Sequence, residues 1–192
     1  AGKTVTSITA AGTSHTCAVT SDGTAACWGN NGSGQLGNGT TTQSTTPVAV
    51  TSGALTGKTV TSITAGTYHT CAVTSEGKVA CWGNNVSGQL GNGTTTNSKT
   101  PVAVTSGALT GKTVTNITAG YSLTCAVTSD GTASCWGYNG SGQLGNGTTT
   151  NSNTPVAVTS GALTGKTVTN ITAGYNHTCA VLSDGTASCW GY

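Results

Sequence analysis

The chain has 192 residues, a formal net charge of +2, charged side chains at only 5% of positions, eight Cys, 30 Gly, and no Arg, Met or Phe. Six scattered Lys make no patch for nucleic acid or anionic lipid, and no apolar run reaches the roughly 18 residues of a membrane span. Sparse apolar content with many cysteines points to a fold stapled by disulfides rather than to a disordered chain. The opening on Ala1, without a leader, reads as a mature product or a segment of a longer protein. In chain order, residues 3–9 (KTVTSIT) alternate apolar with Thr or Ser, the period of a strand. Residues 15–20 (HTCAVT) and 24–29 (TAACWG) are β-branched or apolar runs flanking Ser21-Asp22-Gly23. A Gly-rich loop follows. Residues 46–51 (TPVAVT) then form a fourth strand, with Pro47 near its start, where a missing N–H is tolerated. Thr and Gly weigh against helix throughout.

This set of four strands recurs almost verbatim. The cysteines fall at 17 and 27, 71 and 81, 125 and 135, and 179 and 189, so the period is 54 residues. The repeat units are residues 1–57, 58–111, 112–165 and 166–192 of a single array. The last unit lacks the Gly-rich loop and the fourth strand, which leaves a candidate open edge. In the first hairpin, pairing residues whose numbers add to 44 centres the turn on Asp22 and sets Cys17 opposite Cys27. A three-residue loop with Gly in the left-handed position suits Ser21-Asp22-Gly23. The same register centres the other hairpins on Glu76, Asp130 and Asp184. Directly opposed cysteines lie within disulfide reach. The predicted disulfides are therefore Cys17–Cys27, Cys71–Cys81, Cys125–Cys135 and Cys179–Cys189. Each closes a loop worth roughly 2.8 kcal/mol in the chain-entropy model. Zinc prefers two to four residues between paired cysteines, far fewer than here. Disulfides imply an oxidising compartment, hence a secreted or cell-surface protein.

The run HTCAVTSDGTAACWGNNGSGQLGNGT resembles the regulator-of-chromosome-condensation repeat, in its His15, Asp22-Gly23, Trp28-Gly29, Asn31 and Gly34-Gln35-Leu36-Gly37. The resemblance implies an all-β, propeller-type array of four-stranded blades, usually seven to a ring. Four units do not close such a ring, so the expectation is a partial propeller or one completed by other chains. The family hosts unrelated functions. Its nuclear member is a guanine-nucleotide exchange factor on chromatin. This sequence departs from that member in its stapled blades, its low charge and the lack of a basic tail. It is more similar to secreted bacterial members.

Differences among the copies gather at one end of each hairpin. Positions 13, 67, 121 and 175 hold Thr, Thr, Tyr and Tyr; positions 14, 68, 122 and 176 hold Ser, Tyr, Ser and Asn; positions 30, 84, 138 and 192 hold Asn, Asn, Tyr and Tyr. Tyr68, Tyr121, Tyr138, Tyr175 and Tyr192 thus form a candidate contact face, or else cover loop backbone between blades. The acidic residues sit at the opposite tip as turn residues. His15, His69 and His177 read as packing or backbone-bonding groups, since copy three has Leu123 there. Trp28, Trp82, Trp136 and Trp190 read as blade core. Asn38, Asn92 and Asn146 lie in Asn-Gly-Thr sequons that double as turn signals. No catalytic set, metal site or cofactor motif is expected. Two functions stand: a self-associating extracellular structural protein, forming a filament or surface array, or a module that binds protein or glycan through the Tyr-rich face.

Overall fold

A computed structural model describes residues 2–11, 14–159 and 161–192. Thr13, one of the varied positions, lies outside them. The first unit folds as β1 (Val5–Ala11), β2 (His15–Thr20), β3 (Ala25–Gly29) and β4 (Ser44–Ala49). The second repeats this as β5 (Val60–Ala65), β6 (His69–Thr74), β7 (Val79–Gly83) and β8 (Ser98–Ala103). The third is β9 (Val114–Ala119), β10 (Leu123–Thr128), β11 (Ala133–Gly137) and β12 (Ser152–Ala157). The fourth is β13 (Val168–Ala173), β14 (His177–Leu182) and β15 (Ala187–Gly191). Each unit is one antiparallel meander, four-stranded in the first three and three-stranded in the last.

The hairpin register is as the numbering predicts: Cys17 faces Cys27, Val19 faces Ala25, and Thr16 faces Trp28. Gly23 takes φ 76°, and the Gly23 and Thr20 amides donate to Thr20 O and Thr24 O, closing the three-residue turn. All four disulfides span directly opposed residues, with Cα atoms 4.0–4.1 Å apart. Pro47 sits inside β4 rather than at its start. It is tolerated because β4 is the outer edge strand and the register slips between Cys27 and Gly29 opposite it. Three-residue 3-10 turns at Gly53–Leu55, Gly107–Leu109 and Gly161–Leu163 link the units. Each drops its Leu into the core.

The sheets stack face to face as blades. The first strands of successive units pack side by side. Thr9, Thr64 and Thr118 hydroxyls accept the amides of Ala65, Ala119 and Ala173 in the next blade at 3.2–3.3 Å. The apolar core therefore lies between blades rather than within them. Blade one supplies Cys17, Val19, Ala25, Cys27, Leu36 and Leu55; blade two answers with Val60, Ile63, Ala72, Ala80 and Trp82. The same set recurs between blades two and three and between three and four. The tryptophans, read from sequence as blade core, are inter-blade residues. Trp82 and Trp136 are fully buried because a preceding blade covers them, whereas Trp28 is only half-buried.

Candidate interaction sites

A polar spine ties each blade to the next. The Gln35 carbonyl accepts from Trp82 Nε1 at 2.9 Å and Thr70 Oγ1 at 2.8 Å, both in the following blade. Gln89 and Gln143 do the same for Trp136 and Thr124, and for Trp190 and Thr178. The Thr70 proton is committed to Gln35 O, so Thr70 accepts from His15 Nε2–H at 2.7 Å; His69 donates likewise to Thr124 at 2.9 Å. Each imidazole is thus the Nε2–H tautomer, and Nδ1 is buried without a partner. Burial pushes His15 down to about 4 and His69 to about 3. Both are neutral structural groups, and His177 in the last blade is exposed. Among the described residues no His, Cys, Asp and Glu cluster could hold a metal.

The Gly-Gln-Leu-Gly loop is built to receive the neighbouring indole. Buried Asn31 pins it, its Nδ2 donating to the carbonyls of Thr40 and Thr42 and its Oδ1 accepting the Leu36 amide. A Cβ on Gly37 would stand 2.6 Å from Trp82 Nε1, so only Gly lets the ring close down. Sequence reading noticed this loop but not its partner. The available signal was that Gln35, Leu36 and Trp82 repeat in step. The three sequon residues serve the same loops: Asn38, Asn92 and Asn146 Oδ1 accept the hydroxyls of Thr40, Thr94 and Thr148 at 2.8–2.9 Å.

Each blade is chemically polarised. At one tip Lys3, Lys58, Lys112 and Lys166 pair with Asp22, Glu76, Asp130 and Asp184 at 2.6–3.1 Å. These exposed pairs contribute little stability. Lys3 holds the Asp22 carboxyl well below its usual range, and the hydroxyls of Thr128 and Thr186 do so for Asp130 and Asp184. At the other end, tyrosines from three successive blades meet. Tyr121 stacks on Tyr175 with centroids 3.9 Å apart and planes at 22°, and Tyr68 meets Tyr121 edge-on at 5.7 Å. The Tyr175 hydroxyl raises the Tyr121 phenol above its ordinary value. Tyr138 joins Tyr121 and Tyr175 around a cleft of about 310 Å³. Tyr192 is 95% exposed and lies outside that cleft, tethered by its amide to Asn176 O.

Four antiparallel sheets on a 54-residue period, each of the first three units clasping the tryptophan of the next, define a tandem array of propeller blades. The chain belongs to the regulator of chromosome condensation (RCC1) repeat family, whose repeat matches residues 22–73, 76–127 and 130–181, and in a second form 5–35, 60–89 and 114–143. It is 36% identical over 186 residues to the ultraviolet-B receptor UVR8 of Arabidopsis thaliana, covering 96% of this chain and 41% of that protein. It is 32% identical over 193 residues to the human E3 ubiquitin-protein ligase HERC2, covering 100% of this chain and 4% of that one. The chain thus spans less than half the length of these relatives. Among solved structures, human WBSCR16 superposes with a TM-score of 0.86 at 23% identity, over 97% of this chain and 47% of that one. Yeast RCC1 (Prp20) bound to Kap60 does so at 0.79 and 19%, over 100% and 44%. At these identities the structures speak to the fold alone.

Proposed function

We propose that this chain is a non-enzymatic, extracellular assembly protein whose copies join through the faces of their end blades. The observation that carries this reading is that the blades are near-verbatim copies, so the faces of blades one and four are complementary halves of the interface the chain repeats internally. Val5 and Ile8 are 59% and 64% exposed on blade one, although their counterparts Val60 and Ile63 are each 4% exposed between blades. On blade four, Val181 is 44% exposed, and Cys179, Ala187 and Cys189 flank it, the counterparts of Cys17, Val19, Ala25 and Cys27. One end therefore presents what the other end receives, in the register the chain already repeats internally. Head-to-tail contacts of this kind generate rings or filaments. Burying a Val or Ile side chain contributes about 1.5–3 kcal/mol, so both ends gain by docking. The stapled hairpins support an oxidising location.

Light scattering after size exclusion of the non-reduced protein tests the proposal. A discrete dimer or a larger polymer is expected, and Ile8→Asp or Val181→Asp should each return it to 18.6 kDa. A wild-type protein that elutes as an 18.6 kDa monomer at every concentration overturns it.

A further inference from the structure

We propose that the tyrosine cleft formed by blades two to four is a binding site for a neutral saccharide, a function beyond self-association. Its walls are Ser87, Tyr121, Ser122, Tyr138, Tyr175 and Asn176, around about 310 Å³, the lower end of the size range of small-molecule sites. No wall residue is charged. The carboxylates all lie at the far tip, paired with lysines. That chemistry disfavours an ionic ligand and suits one with an apolar C–H face and many hydroxyls. Tyr175 covers one ring face with Tyr121 yet is 57% exposed, so its other face is open for a sugar ring to stack on. Ser122, Asn176 and the Tyr138 phenol stand around it as hydrogen-bonding groups.

A second, independent feature marks the cleft. Buried Gln35 and Gln89 donate from Nε2 to Asn30 and Asn84 Oδ1 at 2.9 and 2.7 Å. Copy three has Tyr138 at that position, and the Nε2 of Gln143, itself fully buried, has no partner. A buried donor that has lost its acceptor costs about 1–3 kcal/mol. In the first two copies this donor bonds the residue at the position of Tyr138, whose ring forms one wall of the cleft. In an otherwise nearly verbatim repeat, the Tyr138 substitution that builds one wall of the cleft is therefore made at a cost in stability. The Tyr138 ring also lies over the loop backbone at Gly140, and ligand contact is the further role that the open cleft beside it offers.

The test is an array of immobilised neutral oligosaccharides (hexose and N-acetylhexosamine oligomers) printed beside sialylated and sulfated ones, followed by calorimetric titration of the best neutral binder. Binding to neutral glycans that is insensitive to salt is expected. Tyr175→Ala and Tyr121→Ala should weaken it about tenfold or more, and Lys112→Ala at the far tip should leave it unchanged. Circular dichroism and intact disulfides establish that the variants fold. Ile8→Asp, which opens the proposed end-to-end contact, should not alter glycan affinity, so the two proposals fail separately. Three results overturn the assignment: no neutral glycan bound, binding confined to the charged glycans, or full affinity retained by Tyr175→Ala.

Discussion

Trp82→Phe isolates the force that holds one blade to the next. Trp82 is fully buried, and its Nε1–H donates to the Gln35 carbonyl across the blade boundary. Removing that donor costs about 0.5–1.5 kcal/mol. The damage is limited because Gln35 O keeps the Thr70 hydroxyl. The space vacated by the smaller ring, against Gly37, adds roughly 1–2 kcal/mol of lost transfer and packing energy. Together these predict a destabilisation of about 2–3 kcal/mol. In urea unfolding with disulfides intact, this shifts the midpoint by roughly 1 M. Trp28→Phe is the internal control. Trp28 occupies the same place in its own sheet, but the indole is half-exposed and no preceding blade covers it. Its loss should cost under about 1 kcal/mol. Equal shifts for the two variants would refute the claim that tryptophan acts between blades and return it to the core of its own sheet.

Acid should loosen the array before the carboxylates titrate. His15 and His69 are held neutral at about 4 and 3, whereas in the unfolded chain both take a proton near 6.5. Stability therefore falls as pH drops below about 6.5, by up to about 1.4 kcal/mol per pH unit for each His, and levels off near the folded values. His69→Leu, which copies Leu123 of blade three, should remove one proton's share of that slope between pH 6.5 and 4.5; an unchanged slope counts against buried His69. Gly37→Ala and Gly39→Ala share a left-handed backbone, at φ 68° and 82°, and so a strain of about 1–2 kcal/mol. A Cβ on Gly39 meets open space while one on Gly37 meets Trp82, so thermal melts should place Gly37→Ala clearly lower. Tyr138→Asn should restore the acceptor for Gln143 and raise stability by about 1 kcal/mol, with loss of glycan binding; a less stable variant argues against the unmet donor. Replacing Cys71 and Cys81 with Ser should cost roughly 2.8 kcal/mol by denaturant titration if loop entropy governs the staple.

The sequence by itself determined the elements and their pairing. A period of two within each strand, Asp-Gly turns and cysteines ten residues apart leave one hairpin register, because a slip of one residue would turn every cysteine to the other face. The repeat then sets the number of sheets. What only the tertiary structure decided was which blade each repeated group serves. Gln35, Trp82, Thr70 and His15 lie up to 67 residues apart in sequence and meet only where two sheets stack. The Pro47 position also depended on tertiary context, on an edge strand with a register slip that no local pattern signals. The tyrosines were legible as residues at one end of each hairpin. Their stacking across blades, the exclusion of Tyr192 and the stranded Gln143 donor were not, because each depends on the rotation from one blade to the next. That rotation comes from packing Val60 and Ile63 against Val19 and the Cys17–Cys27 staple. Local pattern encodes strands; the contact between faces, made of residues far apart in the chain, places the site.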